Sequence, residues 1–188
     1  TDELPLFKDE KQGALFSLRR DITETPAFKA WFGTSKVVDA DGKPMIVYHG
    51  STAQDFEVFE KTGDIGFHFG TKEAARRAPK SMKRKGAVQV RPFYLSIQNP
   101  LRMPDMMNWE TKYLFIQARA KGLLPESVQS LADFAGRSFD EGFKGDHQAY
   151  FRSLVERAGY DGVVYLNVVE GQPADSFIAF RHEQIKSA

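Results

Sequence analysis

Lys43-Pro44-Met45-Ile46-Val47-Tyr48-His49-Gly50-Ser51-Thr52 and, further on, Gly66-Phe67-His68-Phe69-Gly70-Thr71 are the stretches that decide the fold. In the first, Met45 to Tyr48 is a short apolar run between Gly42-Lys43-Pro44 and Gly50-Ser51, which predicts a buried strand with turns at both ends and His49 at its mouth. A histidine there, followed by a glycine that lets a ligand approach the backbone and by two hydroxyls, has the make-up of half a binding site. The plainer alternative is a strand-end histidine satisfied by solvent. The second stretch repeats the arrangement, which favours the site. After it, Thr71 stands where it would cap a helix built from good helix formers, Lys72 to Ala78. Gly63, Gly66 and Gly70 do not fall in G-x-G-x-x-G spacing and no Gly-Lys-Ser/Thr follows, which argues against a Rossmann or P-loop nucleotide site.

With 188 residues, 41% hydrophobic and 27% charged, the chain is sized for one domain with a sizeable core. It has no run of eighteen or so apolar residues, and neither a membrane span nor a secretory signal is expected. The absence of cysteine rules out disulfides and thiolate chemistry. His49, His68, His147 and His182 show no metal-ligand spacing, so no zinc site is expected, and Ser51 lacks the G-x-S-x-G surroundings of a hydrolase nucleophile. The net charge of +1 conceals an asymmetry: Arg76, Arg77, Lys80, Lys83, Arg84 and Lys85 put six positive charges into ten residues, leaving the rest of the chain at −5. Such a run is either a solvated helix end or a patch for phosphates and anionic macromolecules.

Residues 1–24 have mixed charge and no sustained period and read as a linker or arm; residues 25–188 read as a single domain. Thr25-Pro26 predicts the start of a short aromatic helix carrying Phe28, Trp31 and Phe32, ended by Gly33. Val37 to Pro44 predicts a hairpin turning at Asp41-Gly42 into the His49 strand. Phe56, Val58 and Phe59 are expected to supply apolar cover. The stretch 87–97 alternates as a strand, with Pro92 pointing to an edge or a bulge. Helices are expected at 109–121, 126–135 and 146–158, with core faces Tyr113/Ile116/Ala120, Val128/Leu131/Ala135 and Tyr150/Leu154/Ala158 and with Gly122, Gly136 and Gly159 as stops. Asp161 to Leu166 and Phe177 to Phe180 close the chain as strands. This mixed order suits an α+β fold.

Strand-His49-Gly50-Ser51, then Gly66-Phe67-His68-Phe69-Gly70-Thr71 entering a helix, then Asp175-Ser176-Phe177-Ile178-Ala179-Phe180 behind an acidic loop, resembles the ADP-ribosyltransferase superfamily. The likeness covers roughly residues 25–188. It is closest to the domains of phage and prophage polyvalent proteins and of bacterial toxins and effectors, within the diphtheria-toxin and poly-ADP-ribose polymerase branch. It implies a split β-sheet core with peripheral helices and NAD, used as substrate, in the central cleft, with no metal. By motif, the resemblance makes His49 a contact of the adenine-side ribose, Gly50 the backbone that holds the nicotinamide amide, and Ser51 or Thr52 its support. Gly66, Phe67, His68, Phe69 and Thr71 fall in the same NAD-binding set, with Phe67 or Phe69 offering a π-face and His68 standing where the family often has Tyr. A second aromatic is implied one or two turns into the next helix, where this chain has Pro79.

At the start of the last strand, where the polymerases carry a catalytic Glu, this chain has Ser176. The catalytic set is then drawn from Glu170, Asp175, Ser176 and His49. Ser176 cannot offset positive charge, and Asp175 points away if Ser176 faces the cleft, which makes Glu170 the expected acid. The resemblance implies transfer of ADP-ribose to a macromolecular acceptor, a protein before nucleic acid because no aromatic residue interleaves with the basic run. The protein is expected to be soluble and monomeric, away from membranes, in a bacterial cytoplasm or a target cell's cytosol. Two other readings stand beside it: a catalytically weak NAD-fold binding module using the 76–85 patch, and a small ribonuclease using His49 and His68 as acid and base.

Overall fold

The computed structural model describes residues 21–52, 65–81, 86–106 and 109–188. Most of the expected N-terminal arm (1–20), the apolar cover of Phe56, Val58 and Phe59, and Lys83, Arg84 and Lys85 of the basic run lie outside the described residues, as does the side chain of Lys80. Among the described residues, seven strands and five α-helices make a mixed α+β fold in which the sheet is split in two. One sheet has the order β1 (Val47–Ser51), β3 (Gln89–Leu95), β7 (Ile185–Ser187). The other has the order β2 (Phe67–Phe69), β6 (Ala174–Ala179), β5 (Gly162–Asn167), β4 (Pro100–Met103), antiparallel except for β4 beside β5. Among the described residues the sheets meet at one bridge, where Tyr48 N–H donates to Gly70 O at 2.8 Å and Gly70 N–H returns to Tyr48 O at 3.0 Å.

Alternation along the strands sorts the described side chains into two large cores and a smaller one on the outer face of β3. Val47, Phe69, Phe93, Leu95, Val164, Phe177 and Ala179 fill the space between the sheets. On the opposite face of the four-stranded sheet, Leu101, Met103, Val163, Tyr165 and Ile178 pack under helices α3 (Thr111–Ala120), α4 (Leu131–Asp140) and α5 (His147–Arg157), which contribute Leu114, Ala118, Phe134, Tyr150, Phe151, Leu154 and Val155. Helix α1 (Pro26–Phe32), capped by Thr25 through Phe28 N–H, lays Phe28 and Phe32 on Tyr94. Helix α2 (Lys72–Ser81) starts where expected: Thr71 Oγ1 accepts from Ala74 N–H at 3.1 Å. It then lies so close to β1 that a side chain at Gly50 would overlap the Ala75 carbonyl.

Several expectations are corrected by pairing and burial. The first strand starts at Val47 and runs through His49 to Ser51, because β3 pairs with it from Phe93 to Gln89; His49 is therefore mid-strand. The expected hairpin shrinks to a Val38–Pro44 bridge, since Asp39 folds the turn by accepting from Asp41 and Lys43 N–H. Pro92 sits in a central strand, not at an edge. It is tolerated because its main chain points toward β7 just where that strand ends, with its carbonyl accepting from Ala188 N–H. The middle helix of the bundle starts at Leu131, set by a Ser130/Asp133 capping box, so Gly136 lies inside it and does not stop it. On α3 the buried residues are Leu114 and Ala118, while Tyr113 and Ile116 are exposed. Strands β4 and β7 were not expected at all, being short and headed or flanked by polar residues.

Candidate functional site

The seam between the sheets gathers the two histidine strands. His49 Nδ1–H donates to His68 O at 2.7 Å, which ties β1 to β2 beside the Tyr48–Gly70 bridge. Only the Nδ1–H form can donate to a carbonyl, so this bond also sets the tautomer of the neutral ring, with the lone pair at Nε2. The ring is tilted against Phe69 at 5.5 Å, on the side of the inter-sheet core. His68 is one residue out of phase and turns to the other face, where its ring meets Trp109 edge-on at 5.6 Å, and Trp109 meets Tyr165 at 5.9 Å. The two imidazoles are thus linked through the backbone, with their rings on opposite faces.

Ser176 lies directly under the seam. It is 3% exposed, and a methyl group at Gly70 would stand 2.6 Å from its Oγ, so Gly70 is where β2 and β6 require the smallest residue. Beside it, Asn167 at the end of β5 is 5% exposed and faces the same side as Tyr165 and Ser176. Its Nδ2 donates to Glu170 Oε2 at 2.9 Å and to Ser176 Oγ at 3.3 Å, while its Oδ1 accepts from the N–H groups of Val169 and Glu170, both at 3.1 Å. The loop is closed from the other side by Glu73 of α2, whose carboxylate would be 3.2 Å from a methyl group at Gly171. Glu73 is itself paired with Arg77.

Asp175 is oriented away from this group. Both its oxygens accept from Arg102 at 2.7 Å on the opposite face of the sheet, and this hydrogen bonding holds the guanidinium above its ordinary range. The remaining expected residues are spread more widely. Gly50 spaces β1 from α2, and Gly66 is buried at the far end of β2 against the Ala179 carbonyl. Ser51 ends β1 opposite Gln89, and Thr52 lies beside Gly86. Phe69 is buried between His49 and Phe93, and Phe67 packs on the same core, so neither offers its ring to the side that carries Ser176. Thr71 caps α2. The structure thus brings Gly70, Ser176 and Glu170 together, with His68 on the same face and the His49 ring on the other, tied to this group only through the His68 carbonyl. It adds Asn167, Glu73, Trp109 and Tyr165, none of which the sequence singled out for the site. Asn167 carried one usable signal: a polar residue at the next inward position of the alternating run Val163-Val164-Tyr165-Leu166-Asn167.

The sequence matches the family described as ADP-Ribosyltransferase in polyvalent proteins over residues 39–188. No curated protein matches it. A solved chain described as the crystal structure of an anti-CRISPR protein aligns with a TM-score of 0.35 at 11% identity, over 77% of this chain and 95% of that one, a likeness too slight to carry an argument.

Proposed function

The chain belongs to the family of ADP-ribosyltransferases in polyvalent proteins, and from that premise we propose that it transfers ADP-ribose from NAD to a macromolecular acceptor, a protein side chain in preference to nucleic acid. In such a transfer the bond between the ribose carbon and nicotinamide breaks with its electron pair going to nicotinamide. The acceptor's nucleophilic atom bonds to the same carbon and loses its proton. The reacting carbon gains positive charge as nicotinamide leaves, so a carboxylate close by stabilises the transition state more than the ground state. The observation that carries the reading is the Glu170 carboxylate held by the Asn167 amide beside Ser176, which itself packs against Gly70 at the seam. Within this reading Glu170 supplies the charge that offsets the ribosyl cation, beside the hydroxyl of Ser176.

The test is Glu170→Gln in an assay that follows labelled ADP-ribose onto protein from a lysate. Loss of a charge at the reacting centre is expected to cost on the order of a hundredfold in transfer, ~3 kcal/mol, with NAD affinity little changed. Normal transfer by that variant together with a dead Asp175→Asn would reverse the assignment. A second reading, an NAD-fold binding module without turnover, is favoured by one observation, the hydroxyl of Ser176 where the resemblance implies a carboxylate; it predicts no nicotinamide release from the unaltered protein. The ribonuclease reading loses support because the His49 and His68 rings lie on opposite faces.

A further inference from the structure

Asn167 is the most fully committed polar side chain of the site. A buried amide costs free energy unless its groups are paired, and here all four are: two acceptor positions on Oδ1 and two hydrogens on Nδ2. The orientation of the amide is not arbitrary. Backbone N–H groups can only donate, so Oδ1 must face Val169 and Glu170 N–H, which leaves Nδ2 facing the Glu170 carboxylate and the Ser176 hydroxyl. One side chain therefore fixes the loop's main chain and the direction of the acid it carries.

We infer that Asn167 is the positioning residue that lets a loop carboxylate, Glu170, act at the place where β6 offers only the hydroxyl of Ser176. The inference rests on the assignment of Glu170 as the acid. A carboxylate acts only from the productive geometry, and each torsion left loose dilutes it. Asn167 selects one arrangement and links it by a shared nitrogen to the strand. From the far side the loop is confined by Glu73 against Gly171, whose φ of +154° favours glycine. The carboxylate is thus held as though it were part of the sheet.

Asn167→Asp separates this role from a structural one. The aspartate oxygen still accepts from the two loop N–H groups, but it has no hydrogen for Glu170 and sets a like charge beside it. Expected is at least a tenfold fall in kcat with KM for NAD changed less than threefold, in a protein that melts cooperatively. In a Glu170→Gln background the same change should cost nothing further, because Asn167 acts through that acid. A folded Asn167→Asp that transfers at the normal rate, while Glu170→Gln is dead, overturns the inference and leaves the acid assignment standing. Normal transfer by Glu170→Gln overturns both. Should Asn167 variants unfold, Glu170→Ala supplies the second measurement: the side-chain amide protons of Asn167 should shift in the NMR spectrum and exchange faster, and unchanged signals would refute the contact.

Discussion

His49 serves the seam before it serves any ligand. Its Nδ1–H bond to His68 O and its packing on Phe69 give it a structural part that the sequence, which placed it at a strand mouth, did not reveal. His49→Ala is accordingly expected to lower stability by about 1–2 kcal/mol, the range for a lost partly buried hydrogen bond, as well as weakening NAD binding. Thermal melting and calorimetric titration measure the two effects separately, and unchanged NAD affinity in a folded variant would remove His49 from the site. At Asp175 the expectation is the opposite. Its partner Arg102 is 58% exposed and Asp175 37%, so Asp175→Asn should cost under about 1 kcal/mol and leave transfer within a few-fold of normal. The pairing of Ser176 and Asp175 on opposite faces could be read in advance from strand alternation. The four-bond role of Asn167 could not, because it depends on a loop turning back over the end of its own strand.

Helix caps were the most readable elements, since Thr25 and Thr71 act within three residues of themselves. Faces were less so: the bundle buries Leu114 and Ala118 and leaves Tyr113 and Ile116 outside, and both sets have helical spacing. Only the positions of the neighbouring helices decide between them. The late start of α4 rests on a box in which Asp133 accepts from Gln129 and Ser130 N–H; hydrogen bonding from the Ser130 side chain first, then from these two N–H groups, holds its carboxyl below the ordinary aspartate range. A carboxyl lowered in the folded state adds stability above its unfolded pKa, and that contribution is lost as pH falls through its folded value. Asp133→Asn should therefore flatten the acid limb of a plot of melting temperature against pH; superimposable acid limbs would refute the cap's role. The contact of α2 with β1 is stricter. Gly50→Ala must push the helix off the strand, at a cost of about 1–3 kcal/mol by the usual scale of overpacking, visible as a lower denaturant midpoint.

At the scale of the molecule, the families of side chains on each face follow from strand alternation and the two-sheet division was implied by the resemblance alone, while β4, β7 and the place of Pro92 follow from pairings far apart in sequence. Arg76 and Arg77 stand exposed on α2, the helix that closes over the seam, with Arg77 paired to Glu73. Neutralising the 76–85 cluster is expected to reduce modification of a protein acceptor more than NAD hydrolysis, because distant charge steers large partners more than it affects a bound dinucleotide. Equal losses in both assays would assign the cluster to the dinucleotide or to stability. The paired Tyr48–Gly70 hydrogen bonds give the protein a built-in reporter, since among the described residues they are the only ladder bonds that cross between the sheets. Deuterium can reach those two amides when the sheets part slightly, without unzipping either one. If NAD binds at this seam as proposed, it should slow exchange at Tyr48 and Gly70 and leave the amides between β5 and β6 at their former rates, so that two peaks in a spectrum would register binding even in a variant that turns nothing over; unchanged exchange would place the dinucleotide elsewhere.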